Sequence, residues 1–282
     1  MKAECNILEN EPITLMLLGG GIRFPAFIGA LQAIEEKGLN ISKIVGSSTG
    51  SIVGALYASG MSPAELQRET LALDTTRFKD FDLKSVFTGK GIYAGKALES
   101  WVDEKLNGQK FSDKFRIPPY VIATDILNYK PVIFSAKTFP DMKVATAARF
   151  SAGVPLVYAY RKFTHKEKKH ILIDGTLMSG IIEESYAKKE KTLVLKVMSK
   201  RTLKHRTSSD FSLKKYFHEL LTFSMHSMEK EFIRGGKWKN TILLYCADIA
   251  PAKFSLSEDE KKYLFEQGFE QTKKYLEYKW GI

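Results

Sequence analysis

A short, largely apolar run, Ile13–Leu18 (ITLMLL), stops at three consecutive glycines, Gly19–Gly21. A short apolar run bounded by glycine reads as a buried strand. A helix follows it: in PAFIGALQAIEEKG, Ala26, Ala30, Ala33 and Ile34 recur at helical spacing, and Gly38 stands where a C′ glycine ends a helix. Strand, bare glycine turn and helix in that order point to a sheet covered by helices.

The alternation continues. SKIVG reads as a strand and SIVGALYASG as a small-residue helix ended by Gly60. SPAEL opens another helix, with Ser62 as N-cap, Pro63 at N1 and Glu65 completing a capping box. GKALESWVDEKLNG is helical up to Gly108. PYVIATDI, PVIFSA, KHILID, TLVLKVM and NTILLYC read as strands, and Lys162–Lys169 as a basic surface loop between strands. SLKKYFHELLTFSMHSMEKEFI reads as a long amphipathic helix, and a last helix is capped by Ser257 and Glu260. Strands alternating with helices imply an α/β class with an at least partly parallel sheet. No Pro/Gly/Ser linker divides the chain, which predicts one domain over 1–282: a motif-bearing core at about 13–200, then helices and a strand at about 210–282.

Charge and cysteine content narrow the function. The formal net charge is +11, and Arg161–Arg206 holds 13 Lys/Arg against 5 Asp/Glu. Such a stretch suits peripheral contact with an anionic membrane surface. No zinc-finger spacing, aromatic RNP motif or heptad-linked basic region accompanies it, so nucleic acid is not the expected partner. No run reaches the ~20 apolar residues of a membrane span, and Met1–Pro12 does not read as a signal peptide. Cys5 and Cys246 cannot build a disulfide framework or a metal motif, so a cytoplasmic setting is the expectation, with secretion that uses no cleaved signal as the alternative; no metal or other cofactor is expected.

Three uses compete for Gly19, Gly20 and Gly21. A dinucleotide fingerprint needs glycine where Phe24 stands, and an acid at the end of the next strand, which ISKIVGSS lacks. A phosphate loop needs Gly-Lys-Ser/Thr, which is absent. The third use is an oxyanion hole of bare backbone N–H groups. It gains support from GSSTG, in which Gly46 and Gly50 flank Ser48 in the G-x-S-x-G pattern, between a strand and a small-residue helix. That is the context of a nucleophile elbow, whose sharp turn tolerates only small neighbours. A serine nucleophile needs a base. His165, His170, His205, His218 and His226 sit in the lysine-rich stretches or on the amphipathic helix, and none ends a strand in a glycine turn. Asp174 does, in ILIDGTL, where Gly175 lets the backbone turn away.

LGGGIR, GSSTG and IDG, in this order and spacing, resemble the patatin-like phospholipases, as do VIATDILNYKPVIF and ATAARFSAGVPLVY. The resemblance covers roughly residues 13–200. It implies a three-layer α/β/α fold with a mainly parallel central sheet and a Ser–Asp dyad that hydrolyses lipid acyl esters. On that likeness Ser48 is the nucleophile and Asp174 the base, and Gly19–Gly21 with the N–H of Thr49 form the oxyanion hole. Arg23, directly after the glycine turn, is expected to brace the loop through a carboxylate, with contact to a lipid phosphate as the alternative, and the likeness implies a lipid or phospholipid substrate. An acyltransferase or thioesterase using the same serine, or a lipid-binding module, is the alternative. Malonyl transferases carry His before their nucleophile, where this chain has Ser47. The sequence departs from the family pattern at Phe24 and Thr176, where the family usually has small residues.

Overall fold

The computed structural model describes residues 11–198, 216, 240–250 and 253–282. Its strands are β1 (Ile13–Leu18), β2 (Ile41–Ser47), β3 (Pro119–Asp125), β4 (Lys130–Phe134), β5 (Arg161–His165), β6 (Lys168–Ile173), β7 (Thr192–Met198) and β8 (Thr241–Tyr245). Its helices are α1 (Pro25–Glu36), α2 (Thr49–Ser59), α3 (Pro63–Ala72), α4 (Leu83–Phe87), α5 (Lys96–Lys105), α6 (Val144–Ser151), α7 (Ser179–Ala187) and α8 (Glu258–Tyr275).

β1 is buried at every position because it lies inside an eight-stranded sheet of order β5-β6-β3-β2-β1-β7-β8, with β4 attached to β3. From β3 to β8 the neighbours run parallel, and β4, β5 and β6 pair antiparallel. Alternate residues of β1 face opposite layers. Ile13, Leu15 and Leu17 join the core with α1, α2, α6 and α8, while Met16 and Leu18 pack with Ile182 of α7. The result is a three-layer α/β/α architecture with a mostly parallel centre. α1 and α8 approach closely enough that a Cβ at Gly29 would lie 1.9 Å from the Phe265 carbonyl oxygen. Among the described residues no helix is long and apolar enough to cross a membrane.

The strands read from the sequence are present. Lys162–Lys169 is not a loop, however: it is most of the β5–β6 hairpin, turning at Lys166 and Glu167. The half-buried Phe163 packs its ring 5.7 Å from those of Phe139 and Phe150, and this inward face makes the segment a strand while Lys162, Lys168 and Lys169 stay exposed. The helix read from SLKKYFHELLTFSMHSMEKEFI lies outside the described residues, Tyr216 excepted.

Candidate active site

β2 ends at Ser47 and α2 begins at Thr49, so Ser48 makes the whole turn between them. Its torsions, φ 53° and ψ −134°, belong to a region that glycine normally occupies. Holding another residue there costs on the order of 1–3 kcal/mol and requires neighbours that leave no alternative. Gly46 and Gly50 provide that constraint. A Cβ on Gly46 would lie 2.4 Å from Ser51 Cα, and one on Gly50 would lie 2.3 Å from the Leu17 carbonyl oxygen. The Ser51 hydroxyl donates to the Ser48 carbonyl at 2.6 Å. The Ser48 N–H donates to Ser151 Oγ at 2.8 Å, and the Ser151 hydroxyl donates to the Ile122 carbonyl at 2.5 Å. The elbow is thus tied through α6 to β3.

The pairing around β3 explains why Asp174 meets Ser48. Ile122 pairs with Ser47 of β2 on one side and Ile133 of β4 on the other; Thr124 pairs with Ile173 of β6 and Pro131 of β4. β2 and β6 therefore share the edge of β3 that faces away from β4. β2 runs parallel to β3 and β6 antiparallel, so the two strands meet head to head. The residues that leave the sheet at their junction are Ser48 and Asp174. The Thr124 hydroxyl fixes the Asp174 carbonyl at 2.8 Å, and the Asp174 N–H donates to Gly153 at 3.0 Å. Gly175 lies against β3 so tightly that a Cβ would stand 1.9 Å from the Ile122 carbonyl oxygen.

The Ser48 hydroxyl donates to Asp174 Oδ2 at 2.7 Å, and the Thr176 N–H donates to Oδ1 at 2.8 Å. Both residues are buried. Burial pushes the Asp174 carboxyl above its usual value, against the bonds from Thr176 and Ser48, which favour the charged form. The pair is a hydroxyl held on a desolvated carboxylate, the arrangement in which a serine can lose its proton to its neighbour.

The glycine turn divides its labour. Gly19, Gly20 and Gly21 have φ of 75°, 109° and 56°, so all three require glycine's freedom. The Gly19 N–H donates to the Ser47 carbonyl at 3.2 Å and to Ser47 Oγ at 3.1 Å. Gly19 thus pins the turn to β2 and is not a free donor, which corrects its expected place in the oxyanion hole. Among the described residues, the N–H groups of Gly20, Gly21 and Thr49 donate to nothing. The Thr49 hydroxyl shares its proton between the Gly19 and Gly21 carbonyls, each at 3.1 Å. Arg23 is buried and braces the loop, its Nε donating to the Gly20 carbonyl at 3.3 Å. Thr176 fits against the same turn: its methyl stands 3.2 Å from where a Cβ of Gly19 would lie.

An apolar cavity of about 170 Å³ opens beside this constellation. Gly21, Ser48 and Thr49 line it at the elbow, Glu69 and Lys253 are among its other polar lining residues, and Phe24, Leu56, Leu66, Phe78 and Trp101 are among its apolar walls. A mostly apolar cavity of that size suits an apolar guest. Phe24, the departure from the family pattern, is therefore a wall residue.

No described histidine touches the pair. His170 is buried with Nδ1 2.6 Å from Asp125 Oδ2, and His165 stacks on Phe163. His205, His218 and His226 lie outside the described residues. No group of His, Cys, Asp and Glu among the described residues could hold a metal ion. Ser151, Thr124 and buried Arg149 are the supporting residues that sequence reasoning missed. ATAARFSAGVPLVY contains two of them without any local signal of burial.

Comparison with known proteins follows this geometry. The family described as patatin-like phospholipase matches residues 15–185, more than half of the chain. YqhO of Bacillus subtilis (strain 168), itself uncharacterized, is 25% identical over 278 residues, which are 92% of this chain and 96% of that protein. Probable lipid hydrolase 463L of invertebrate iridescent virus 6 is 25% identical over 176 residues, 57% of this chain and 59% of its own length. Among solved structures, VipD from Legionella pneumophila superposes with a TM-score of 0.60 at 14% identity over 95% of this chain and 67% of that one. The type III effector ExoU superposes at 0.52 and 18% identity over 95% of this chain and 53% of that one. At these identities the two structures share its fold. The chain spans less than two thirds of the length of the viral hydrolase and of ExoU.

Proposed function

The chain belongs to the patatin-like phospholipase family, and from that premise we propose that it is a serine lipid acyl hydrolase acting through Ser48 and Asp174 alone. The observation that carries this reading is the 2.7 Å bond from the Ser48 hydroxyl to Asp174 Oδ2 at an apolar cavity that Ser48 lines. Ser48 Oγ attacks the ester carbonyl carbon as its proton passes to Oδ2. The carbonyl oxygen becomes an oxyanion and accepts from the N–H groups of Gly20, Gly21 and Thr49, which have no competing acceptor among the described residues. The tetrahedral species collapses, the C–O bond to the alcohol breaks, and the leaving oxygen takes the proton from Asp174. Water then attacks the acyl-Ser48 ester, again giving its proton to Asp174. Collapse releases the fatty acid and returns the proton to Ser48 Oγ.

Three features support Asp174 as the base. Burial raises its affinity for a proton, which a free carboxylate near pKa 3.9 lacks. Thr176 holds Oδ1, so Oδ2 is presented to Ser48. The carbonyl bond from Thr124 fixes the turn that carries it. The cavity supports a fatty acyl chain as the group bound on the acid side of the ester.

The test is a phospholipid and lysophospholipid panel incubated with wild type and Ser48→Ala, with products read by mass spectrometry. Wild type is expected to release fatty acid, and Ser48→Ala is not. A well-folded Ser48→Ala that keeps more than a trace of the rate would move the nucleophile to Ser47 or Ser51.

A further inference from the structure

We propose that the lobe Arg77–Lys96 is the surface by which this protein docks on an anionic lipid bilayer, with the apolar side chains of α4 entering the headgroup layer. The choice of a lipid partner rests on the lipid acyl hydrolase reading above.

The lobe inverts the usual order of an amphipathic helix. Leu83, Val86 and Phe87 fall at i, i+3 and i+4, one helical face. In most surface helices that stripe turns to the core. Here it turns outward: Phe87 is 82% exposed, and Leu83 and Val86 are exposed with it. The residue facing in is Ser85, buried with its hydroxyl on Asp82 Oδ2 at 2.6 Å. Phe81, 62% exposed, pairs with Tyr93, and the Asp82 N–H donates to the Ile92 carbonyl at 3.1 Å, which brings exposed Ile92 alongside. The Ile92 N–H in turn reaches the carbonyl of exposed Leu156 at 3.1 Å. Single apolar residues on a surface are ordinary; a connected group of this size marks a contact site.

Charge selects the partner. Arg77, Lys79, Lys84, Lys90 and Lys96 surround the tip, and none makes an ion pair among the described residues. The lobe's two acids are occupied. Asp80 accepts the N–H groups of Gly95, Lys96 and Ala97, and Asp82 accepts from Lys84 N–H and Ser85. An apolar tip with five cations against two acids complements anionic headgroups over an acyl layer.

The lobe is also continuous with the cavity. Tyr93 packs its ring 6.2 Å from Tyr158 and 5.7 Å from Phe254, and both partners line the cavity. Leu156 lies between the lining residues Val154 and Val157. Buried Arg149 clamps the base, donating to the carbonyls of Gly95 at 3.0 Å and of Ala94 and Ala159 at 2.9 Å. An acyl chain leaving the bilayer would meet a firm wall leading towards Ser48. The β5–β6 hairpin is the first part of Arg161–Arg206, the stretch whose charge suited membrane contact in the sequence and whose residues 199–206 lie outside the described ones, and it differs. Its lysines are exposed, but Phe163 turns inward, so the hairpin itself carries charge and no exposed large apolar side chain.

The test uses the full chain carrying Ser48→Ala, so that lipid is not consumed, with flotation on phosphatidylcholine vesicles and on vesicles containing 30% phosphatidylserine. The parent is expected to prefer the anionic vesicles at low salt. Adding Phe81→Ser with Phe87→Asp is expected to weaken that binding at least tenfold, and Lys84→Glu with Lys90→Glu to remove the preference. Phe87→Trp is expected to shift its emission to the blue on vesicles. Lys162→Glu with Lys168→Glu is expected to bind within about twofold of the parent. Unchanged binding of the Phe81/Phe87 variant, or lost binding of the hairpin variant alone, overturns the assignment. So does a parent dimer that the Phe81/Phe87 changes split without affecting vesicle binding, since the lobe would then serve a second copy of the chain. With Ser48 intact, the same Phe81/Phe87 variant is expected to hydrolyse a soluble short-chain ester at the wild-type rate. If wild type fails on that ester, the enzymatic reading falls while the vesicle result still decides this one.

Discussion

The turn after β2 and the turn after β6 place their key atoms 2.7 Å apart, yet they are held in opposite ways. Ser48 carries its strain in the backbone, at φ 53°, and glycines on both sides leave it nowhere else to go. Asp174 has an ordinary φ of −50°, and its strain is electrostatic: a carboxylate enclosed where its charge is poorly solvated. The difference teaches that a reactive pair need not share one source of reactivity. On the proposed dyad, the turn aims the hydroxyl at its partner, and burial raises the carboxylate's affinity for a proton.

Removing either partner should have the largest effect. Ser48→Ala and Asp174→Asn are each expected to lower kcat/KM by on the order of 10⁴ or more on a soluble ester. Stability should separate them. The folded pKa of Asp174 is raised, so the native state binds more protons than the unfolded state above the ordinary carboxylate pKa, and this group's contribution falls as pH rises through the folded value. Asp174→Asn removes that penalty and should raise the melting temperature at neutral pH, whereas Ser48→Ala leaves the φ strain and should not. A lower melting temperature for a folded Asp174→Asn would show that the two turns do not differ as argued.

Next in size are the close approaches. Gly175→Ala drives a methyl against the Ile122 carbonyl. Overpacking of this kind costs about 1–3 kcal/mol, and a displaced base should lower the rate about 10²-fold. Melting and initial rates on one preparation would test both. Ser151→Ala leaves the Ser48 N–H without its acceptor and should cost about 1–3 kcal/mol in stability, with a smaller loss of rate than Gly175→Ala.

The pH profile sharpens the electrostatic half. Asp174 must be ionised to accept a proton, so kcat/KM should rise with pH through a midpoint above the ordinary carboxylate value. A rate unchanged down to about pH 4 would remove burial as the source of basicity. The smallest effect is expected at His165 and His170. Replacement of either by Gln should stay within about tenfold in rate, roughly 1.4 kcal/mol of barrier.

The same contrast governs what the sequence discloses. Steric demands are written in glycine, so Gly46, Gly50 and Gly175 locate both turns, and the buried run Ile13–Leu18 locates the central strand. Environment is not written locally. The basic residues of the β5–β6 hairpin conceal a strand whose inward positions are Arg161, Phe163 and His165, a face that depends on the aromatic cluster supplied by Phe134, Phe139 and Phe150. His170 reads as surface and is buried on Asp125, 45 residues earlier. Gly19 looks equivalent to Gly20 and Gly21 until its N–H is found on Ser47. Ser151 gains its part from the pairing of β2 with β3, and the cavity walls come from loops and helices far apart in the chain.

The head-to-head meeting of β2 and β6 on β3 also sets a timetable. Ser48 and Asp174 are 126 residues apart, and they meet only when β3 has paired with both strands. At roughly 5–20 residues per second, a chain under synthesis would carry its serine for about 6–25 s before its carboxylate exists. Contacts of such long range also form late in folding. On the proposed dyad, the hydroxyl has no base during that interval, and an unfinished chain would not yet act on an ester.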